Sequence, residues 1–382
     1  MSRPDLGGPR VLFVNHASRA AGAELILLDV VQAFQGASAF LFEDGPLRPA
    51  LAARGVTPIW PSKDAGFASI KRDRSLLRAL PHLGGLVKMA LRIAAVARRH
   101  QVVYANSQKA FALAAPAAAL ARRPLIWHLH DILSPAHFGK GQRRLTVALA
   151  NRWAARVIVP SHAAAAAFVA AGGIRERLRI IPNGLDRDPP DDDAAECLLP
   201  HPFIFGVFSR LAPWKGQDVA IRALAELPDV GCVIAGSALF GEDEYARWLP
   251  KLAAELGVAD RVRFLGQRDD VPALMTRVDA VVHPSTDPEP FGRTLVEAML
   301  ARRPVVAADA GAVPEILDGG RVGTLFTPGD AISLATALRQ VRSGAGAALL
   351  DSAEARARSL YSAARMRAEI RQVVADVAPG LS

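Results

Sequence analysis

The segment Asp287-Pro288-Glu289-Pro290-Phe291-Gly292-Arg293-Thr294-Leu295-Val296-Glu297 sets two carboxylates eight positions apart around a Pro-x-Gly turn. Pro290 and Gly292 oppose a continuous helix through both, so Glu289 falls on a loop and Glu297 one turn inside the helix that follows. Backbone N–H groups near Gly292, Arg293, Thr294 and Leu295 are then helix-start donors suited to a phosphate. The two carboxylates can accept hydrogen bonds from sugar and ribose hydroxyls. On spacing alone they can equally do no more than complement the helix dipole. A second group is Ser209-Arg210-Leu211-Ala212-Pro213-Trp214-Lys215-Gly216, directly after the apolar run Phe203–Phe208. At the carboxyl end of a strand, Arg210 as a fork and Lys215 as a point charge can converge on a polyanion. Elsewhere such a pair is more often solvated surface.

Two further groups follow apolar runs. The small-residue stretch Asn15-His16-Ala17-Ser18-Arg19-Ala20-Ala21-Gly22-Ala23-Glu24 leads into a helical run from Leu25 to Phe34. Gly22 permits close approach of a ligand to a helix start. A lone Gly22 does not make the G-x-G-x-x-G dinucleotide fingerprint, and a plain turn is the alternative. In Trp127-His128-Leu129-His130-Asp131 the two imidazoles share a face. No spacing signature supplies a third zinc ligand, so no metal is expected and His130 is read as a hydrogen-bonding residue.

The elements that must position these groups are short apolar runs with helical patterns between them: 11–14, 39–42, 102–105, 125–127 and 157–159. Unalternating strands flanked by helices read as parallel and buried on both faces, an α/β domain. The Pro- and Asp-rich stretch Asn183–Pro202 reads as a linker. The alternation then restarts with strands at 203–208, 230–235, 262–265, 280–283 and 304–307, and helices at 217–227, 245–256 and 294–301. Two Rossmann-like domains are expected, 1–186 and 187–359, their parallel sheets facing across a cleft with ligands at the strands' carboxyl ends. The tail from about Ala353 to Val377 reads as helix, and residues 360–382 are expected to pack back on the first domain.

Composition narrows the class. With 51% hydrophobic and 22% charged residues and 30 Gly without a period, the chain is neither disordered nor collagenous. The net +9 is uneven: residues 1–186 hold 25 basic and 10 acidic side chains (+15), and 187–382 hold 21 and 27 (−6). Cys197 and Cys232 fit neither a zinc site nor a disulfide scaffold, which favours a reduced, cytoplasmic compartment. The apolar run 11–14 is too short for a signal-peptide core, and no run reaches the roughly 20 residues of a membrane span. A pI of about 10.1 raises nucleic-acid binding, but three Tyr and no recognition module argue against it.

Together these residues resemble the retaining glycosyltransferase family 4, whose fold is the two-Rossmann GT-B architecture. The resemblance runs in order through Gly22-Ala23-Glu24, His130-Asp131, Ile181-Pro182-Asn183-Gly184-Leu185-Asp186, Arg210 with Lys215-Gly216, Phe264-Leu265-Gly266, Pro284-Ser285, Glu289 to Glu297 as E-x7-E, and Gly311-Ala312-Val313-Pro314-Glu315. Relatives often carry a second Gly where Ala21 stands. The resemblance implies a UDP- or GDP-sugar donor on the C-terminal domain and a glycan or lipid-linked acceptor on the N-terminal one, with no cofactor and no metal. It implies that Arg210 and Lys215 hold the diphosphate, Glu289 the donor sugar, Glu297 the ribose, and Gln267-Arg268 the base. Backbone amides from Phe291 through Gly292, Thr294 and Leu295 would contact sugar and phosphate, with His130 near the scissile bond and Gly22 near the donor phosphate. It further implies front-face transfer, in which Glu289 is no nucleophile. A sugar-nucleotide epimerase on the same fold is the rival, distinguished by epimer formation without acceptor. A phosphorylase would need a pyridoxal lysine, for which no sequence context is found.

The basic excess lies in the presumed acceptor half, at Lys71-Arg72-Arg74-Arg78, at Lys88-Arg92-Arg98-Arg99, and at Lys140-Arg143-Arg144-Arg152-Arg156. Such faces suit anionic lipid headgroups, or are simply solvated. The expectation is a peripheral enzyme on the cytoplasmic membrane's inner face, serving exopolysaccharide or lipopolysaccharide assembly.

Overall fold

A computed structural model of the chain describes residues 8–18, 22–60, 83–135, 138–185, 199–239 and 241–378. Cys197, most of the linker stretch, and the cluster Lys71-Arg72-Arg74-Arg78 lie outside them. The chain divides into two compact units, 1–184 with 363–382, and 185–362.

In the first unit the strands are β1 (Val11–Asn15), β2 (Ser38–Leu41), β3 (Thr57–Ile59), β4 (Val102–Ala105), β5 (Leu125–His128), β6 (Ala154–Val159) and β7 (Leu178–Ile180). They form one parallel sheet in the order β3-β2-β1-β4-β5-β6-β7. Alternate side chains of each strand feed opposite cores. Leu12, Val14, Val103, Ala105 and Trp127 face one cluster, where Trp127 stacks on Phe111 at 4.3 Å. Val11, Phe13, Val102, Tyr104 and Ile126 face the other, which also takes Met366, Ile370, Val373 and Val374 of the helix Ala363–Val377. Burial on both faces is why these strands read as unbroken apolar runs.

The second unit holds β8 (Phe203–Phe208), β9 (Val230–Ala235), β10 (Val262–Gly266), β11 (Ala280–His283), β12 (Val305–Ala308) and β13 (Thr324–Phe326), parallel in the order β10-β9-β8-β11-β12-β13. Phe203, Phe205 and Val207 enter one core, and Ile204 and Phe208 the other. Both orders reverse direction once, between β1 and β4 and between β8 and β11. In open parallel sheets that reversal splays the loops at the carboxyl ends and leaves a crevice for a ligand.

The tail is not one helix. It breaks at Tyr361–Ser362 into helices Leu350–Leu360 and Ala363–Val377. The Tyr361 carbonyl accepts the Leu185 N–H at 2.8 Å, and the Tyr361 ring packs edge-on against Phe291 at 5.6 Å. Those contacts anchor the first helix in the second unit, while the apolar face of the second helix belongs to the first unit's core.

Candidate active site

The loops after β8 and β11 meet at the second unit's switch point. Gly216 adopts a left-handed φ of +68°, and a Cβ there would stand 1.9 Å from the Pro284 carbonyl oxygen. The Thr286 N–H donates to the Trp214 carbonyl at 2.9 Å. This close backbone approach sets Lys215 against Glu289, with Nζ donating to Oε2 at 2.6 Å. Glu289 is fixed by its own backbone, which bridges Gly311 and accepts the Ala312 N–H at 2.8 Å.

Three side chains converge on the same carboxylate oxygen. Besides Lys215, His283 Nε2 lies 3.1 Å from Glu289 Oε2, and Ser285 Oγ lies 3.5 Å from it and 3.1 Å from His283 Nε2. Burial, the largest influence on Glu289, pushes its pKa up; the Lys215 charge and the His283 contacts outweigh it and hold the carboxyl well below the usual range. Glu289 is therefore an anion with Oε2 saturated and Oε1 left to accept from a ligand hydroxyl. Sequence reasoning placed His283 at a strand end but gave it no role in the site.

Arg210 Nη1 donates to Glu242 Oε1 at 3.1 Å. Its guanidinium lies 5.0 Å from the Trp214 ring centroid and the Lys215 ammonium 4.2 Å from it, so one indole steadies both cations. Buried Gln217 donates to the Arg210 carbonyl and to Ser209 Oγ, both at 2.9 Å. The two basic residues thus sit on a braced loop with a carboxylate beside each, an arrangement that a diphosphate can enter by displacing those counter-ions.

Around the helix Arg293–Leu300 the structure corrects part of the sequence reading. Gly292 caps it in a left-handed conformation, φ +83°. The Leu295 N–H already donates to the Gly292 carbonyl at 3.0 Å, so that amide is not a helix-start donor for a ligand. The Leu295 and Phe291 side chains are core. Thr294 Oγ1 donates to the Phe208 carbonyl at 3.2 Å, tying the helix start to β8. Glu297 lies in the second turn and receives Arg293 Nη2 at 3.4 Å. Arg268 holds Asp270 through two bonds, and Gln267 Oε1 accepts from Ser237 Oγ at 3.1 Å.

The first unit gathers polar residues at its own switch point. Asn15 ends β1, Asn106 follows β4, and His130 follows β5. His130 Nε2 lies 3.0 Å from Asn106 Oδ1, and its ring centroid 3.9 Å from that of His128. His128 Nδ1 lies 2.7 Å from the Tyr104 hydroxyl. Burial lowers the His130 pKa to about 3 and holds His128 well below its ordinary value, so both imidazoles are neutral near pH 7. Among the described residues no three His, Cys, Asp or Glu are grouped to hold a metal ion. Gly22 is the first residue of the helix Gly22–Val30, which begins earlier than expected, and a Cβ there would meet nothing within 4 Å.

Two doubly wound parallel sheets with ligand-ready loops at both reversals define the GT-B architecture. Residues 47–189 match the family model Glycosyltransferase Family 4, and residues 192–359 match Glycosyl transferases group 1. The structure of Anabaena HepE in complex with UDP and glucose is similar at 36% identity and a TM-score of 0.84, covering 96% of this chain and 99% of that one. A D-inositol 3-phosphate glycosyltransferase of Mycobacterium marinum is 34% identical over 197 residues, 49% of this chain and 42% of that protein. The lipopolysaccharide core biosynthesis mannosyltransferase LpcC of Rhizobium leguminosarum is 33% identical over 172 residues, 42% and 48%. The matched regions thus span less than half the length of these curated relatives. The chain belongs to the family 4 glycosyltransferases.

Proposed function

We propose that the chain is a retaining glycosyltransferase that moves a hexose-type sugar from a UDP- or GDP-sugar to a glycan or lipid-linked acceptor. The carrying observation is the Lys215–Glu289 pair beside Arg210, at the carboxyl ends of β8 and β11. Lys215 and Arg210 would take the diphosphate and stabilise charge as it leaves, without a metal ion. Glu289 Oε1 would hold a donor-sugar hydroxyl, Glu297 the ribose, and the Gln267-Arg268 segment the base. Membership of the family favours front-face transfer over a glycosyl-enzyme, with Glu289 binding the sugar and not attacking it. The acceptor oxygen bonds to the anomeric carbon as the bond to the diphosphate breaks, and the acceptor's proton passes to a phosphate oxygen. A UDP donor is supported by the similarity to HepE, which has been solved with UDP-glucose.

Thermal shift against UDP- and GDP-sugars, followed by donor hydrolysis with and without EDTA, tests this. A ligand at a hundred times its Kd adds about 2.7 kcal/mol, so UDP-glucose should raise the melting temperature and its hydrolysis should survive EDTA. No shift with any sugar nucleotide would overturn the reading.

For the acceptor, the reading extends to a lipid-linked or anionic glycan of exopolysaccharide or lipopolysaccharide assembly. The helix Leu83–Ala97 exposes Val87 (52%) and Leu91 (54%) beside exposed Lys88 and Arg92. The helix Lys140–Trp153 exposes Leu145 beside Arg144. Apolar side chains among cations fit an anionic headgroup layer. No helix among the described residues is long and apolar enough to cross a membrane. Co-sedimentation with vesicles at low salt should increase with anionic lipid content; equal binding to neutral vesicles would count against it.

A further inference from the structure

Asn15 and Asn106 lie far apart in sequence and meet because β1 is paired with β4. Asn15 Nδ2 donates to the Ala17 carbonyl at 2.9 Å and to Glu24 Oε1 at 3.3 Å. Asn106 Nδ2 donates to the Ala23 carbonyl and to Asn15 Oδ1, both at 3.1 Å. A main-chain carbonyl only accepts, so each amide has one sensible orientation. Turning Asn106 over would set its oxygen against two acceptors, the Ala23 carbonyl and Asn15 Oδ1, in a wholly buried place. Asn106 Oδ1 therefore faces His130 Nε2, 3.0 Å away, as an acceptor and nothing else.

We infer that Asn106 is a positioning residue: it fixes His130 as the Nε2–H tautomer, leaving the Nδ1 lone pair to accept from a substrate hydroxyl. A neutral imidazole with its one proton committed to Asn106 cannot donate to a phosphoryl oxygen. The ligand atom it takes is a hydroxyl of donor sugar or acceptor. Burial keeps the ring from gaining a second proton near pH 7. The relay reaches buried Glu24 in the first turn of Gly22–Val30, so the loop after β1 and the His130 tautomer are set by the same bonds. The identity of the hydroxyl rests on the glycosyltransferase reading; the tautomer does not.

The test is a long-range 15N–1H spectrum of histidine-labelled full-length protein, with the His130 signal assigned by its loss in His130→Gln. The wild type should show a single Nε2–H pattern for His130 from pH 6 to 8. A Nδ1–H pattern or a mixture overturns the inference without any variant at Asn106. Asn106→Ala should lose the single tautomer. Retention of the Nε2–H pattern in Asn106→Ala would show that other contacts set the tautomer and would also overturn it. The spectrum needs no turnover, so failure of the donor assay leaves the result readable.

Discussion

If Lys215 serves the leaving diphosphate as proposed, Lys215→Ala is expected to lower kcat/KM for sugar transfer by about 10²- to 10³-fold, mostly through kcat, because a preorganised charge is removed. The same change strips Glu289 of its partner at 2.6 Å, in a place where burial already disfavours its charge. Breaking a buried pair costs about 3–5 kcal/mol, and since His283 remains 3.1 Å away the low end applies. The two losses separate in the double variant. Adding Glu289→Gln replaces the stranded carboxylate with a neutral amide and should return the melting temperature toward wild type, while transfer stays low. Steady-state kinetics beside thermal unfolding reads both. Near-normal kcat/KM in Lys215→Ala would take the lysine away from the diphosphate. A double variant no more stable than the single would show that the stranded carboxylate is not the source of instability.

The parts of this site legible in sequence are those that follow long, doubly buried strands. β8 and β9 are unbroken apolar runs, so the sequence alone places the loop carrying Arg210 and Lys215 at a strand's carboxyl end. Pro290 and Gly292 likewise separated Glu289 on its loop from Glu297 in the helix. The missed strands β3, β7 and β13 are three residues each and lie at sheet edges, where partial exposure removes the apolar signature. His283, Asn15 and Asn106 were illegible as site residues for another reason. Each is an ordinary polar strand end, and its role comes from which strands are neighbours. The pairing of the Leu295 amide is not legible in sequence, because the first turn of its helix closes back on Gly292, a local choice that spacing does not encode. Neither Pro nor Gly marks the break at Tyr361–Ser362; long-range contacts to Leu185 and Phe291 make it.

Gly216→Ala should damage the second unit more than its one added methyl suggests. The new Cβ would stand 1.9 Å from the Pro284 carbonyl oxygen, and both sides of that contact are backbone, so no side chain can swing away. Pro284 cannot easily retreat: it follows His283, which pairs with Ala307 of β12, and the nearby Thr286 N–H is bonded to the Trp214 carbonyl. The two loops must part, and parting them stretches the Lys215–Glu289 contact directly. The left-handed φ of +68° adds its own penalty for a residue with a side chain. A cost of about 3 kcal/mol is expected, lowering the melting temperature by roughly 6–12 °C for a unit of this size. UDP-glucose binding should weaken even at temperatures where the variant is fully folded. Gly257→Ala supplies the comparison within the same unit. Its φ is +67°, yet a Cβ there meets nothing within 4 Å, so it carries the conformational penalty of about 1–2 kcal/mol without the clash. If the two variants melt alike and bind UDP-glucose alike, the approach of Gly216 to Pro284 is not what holds the lysine against the glutamate.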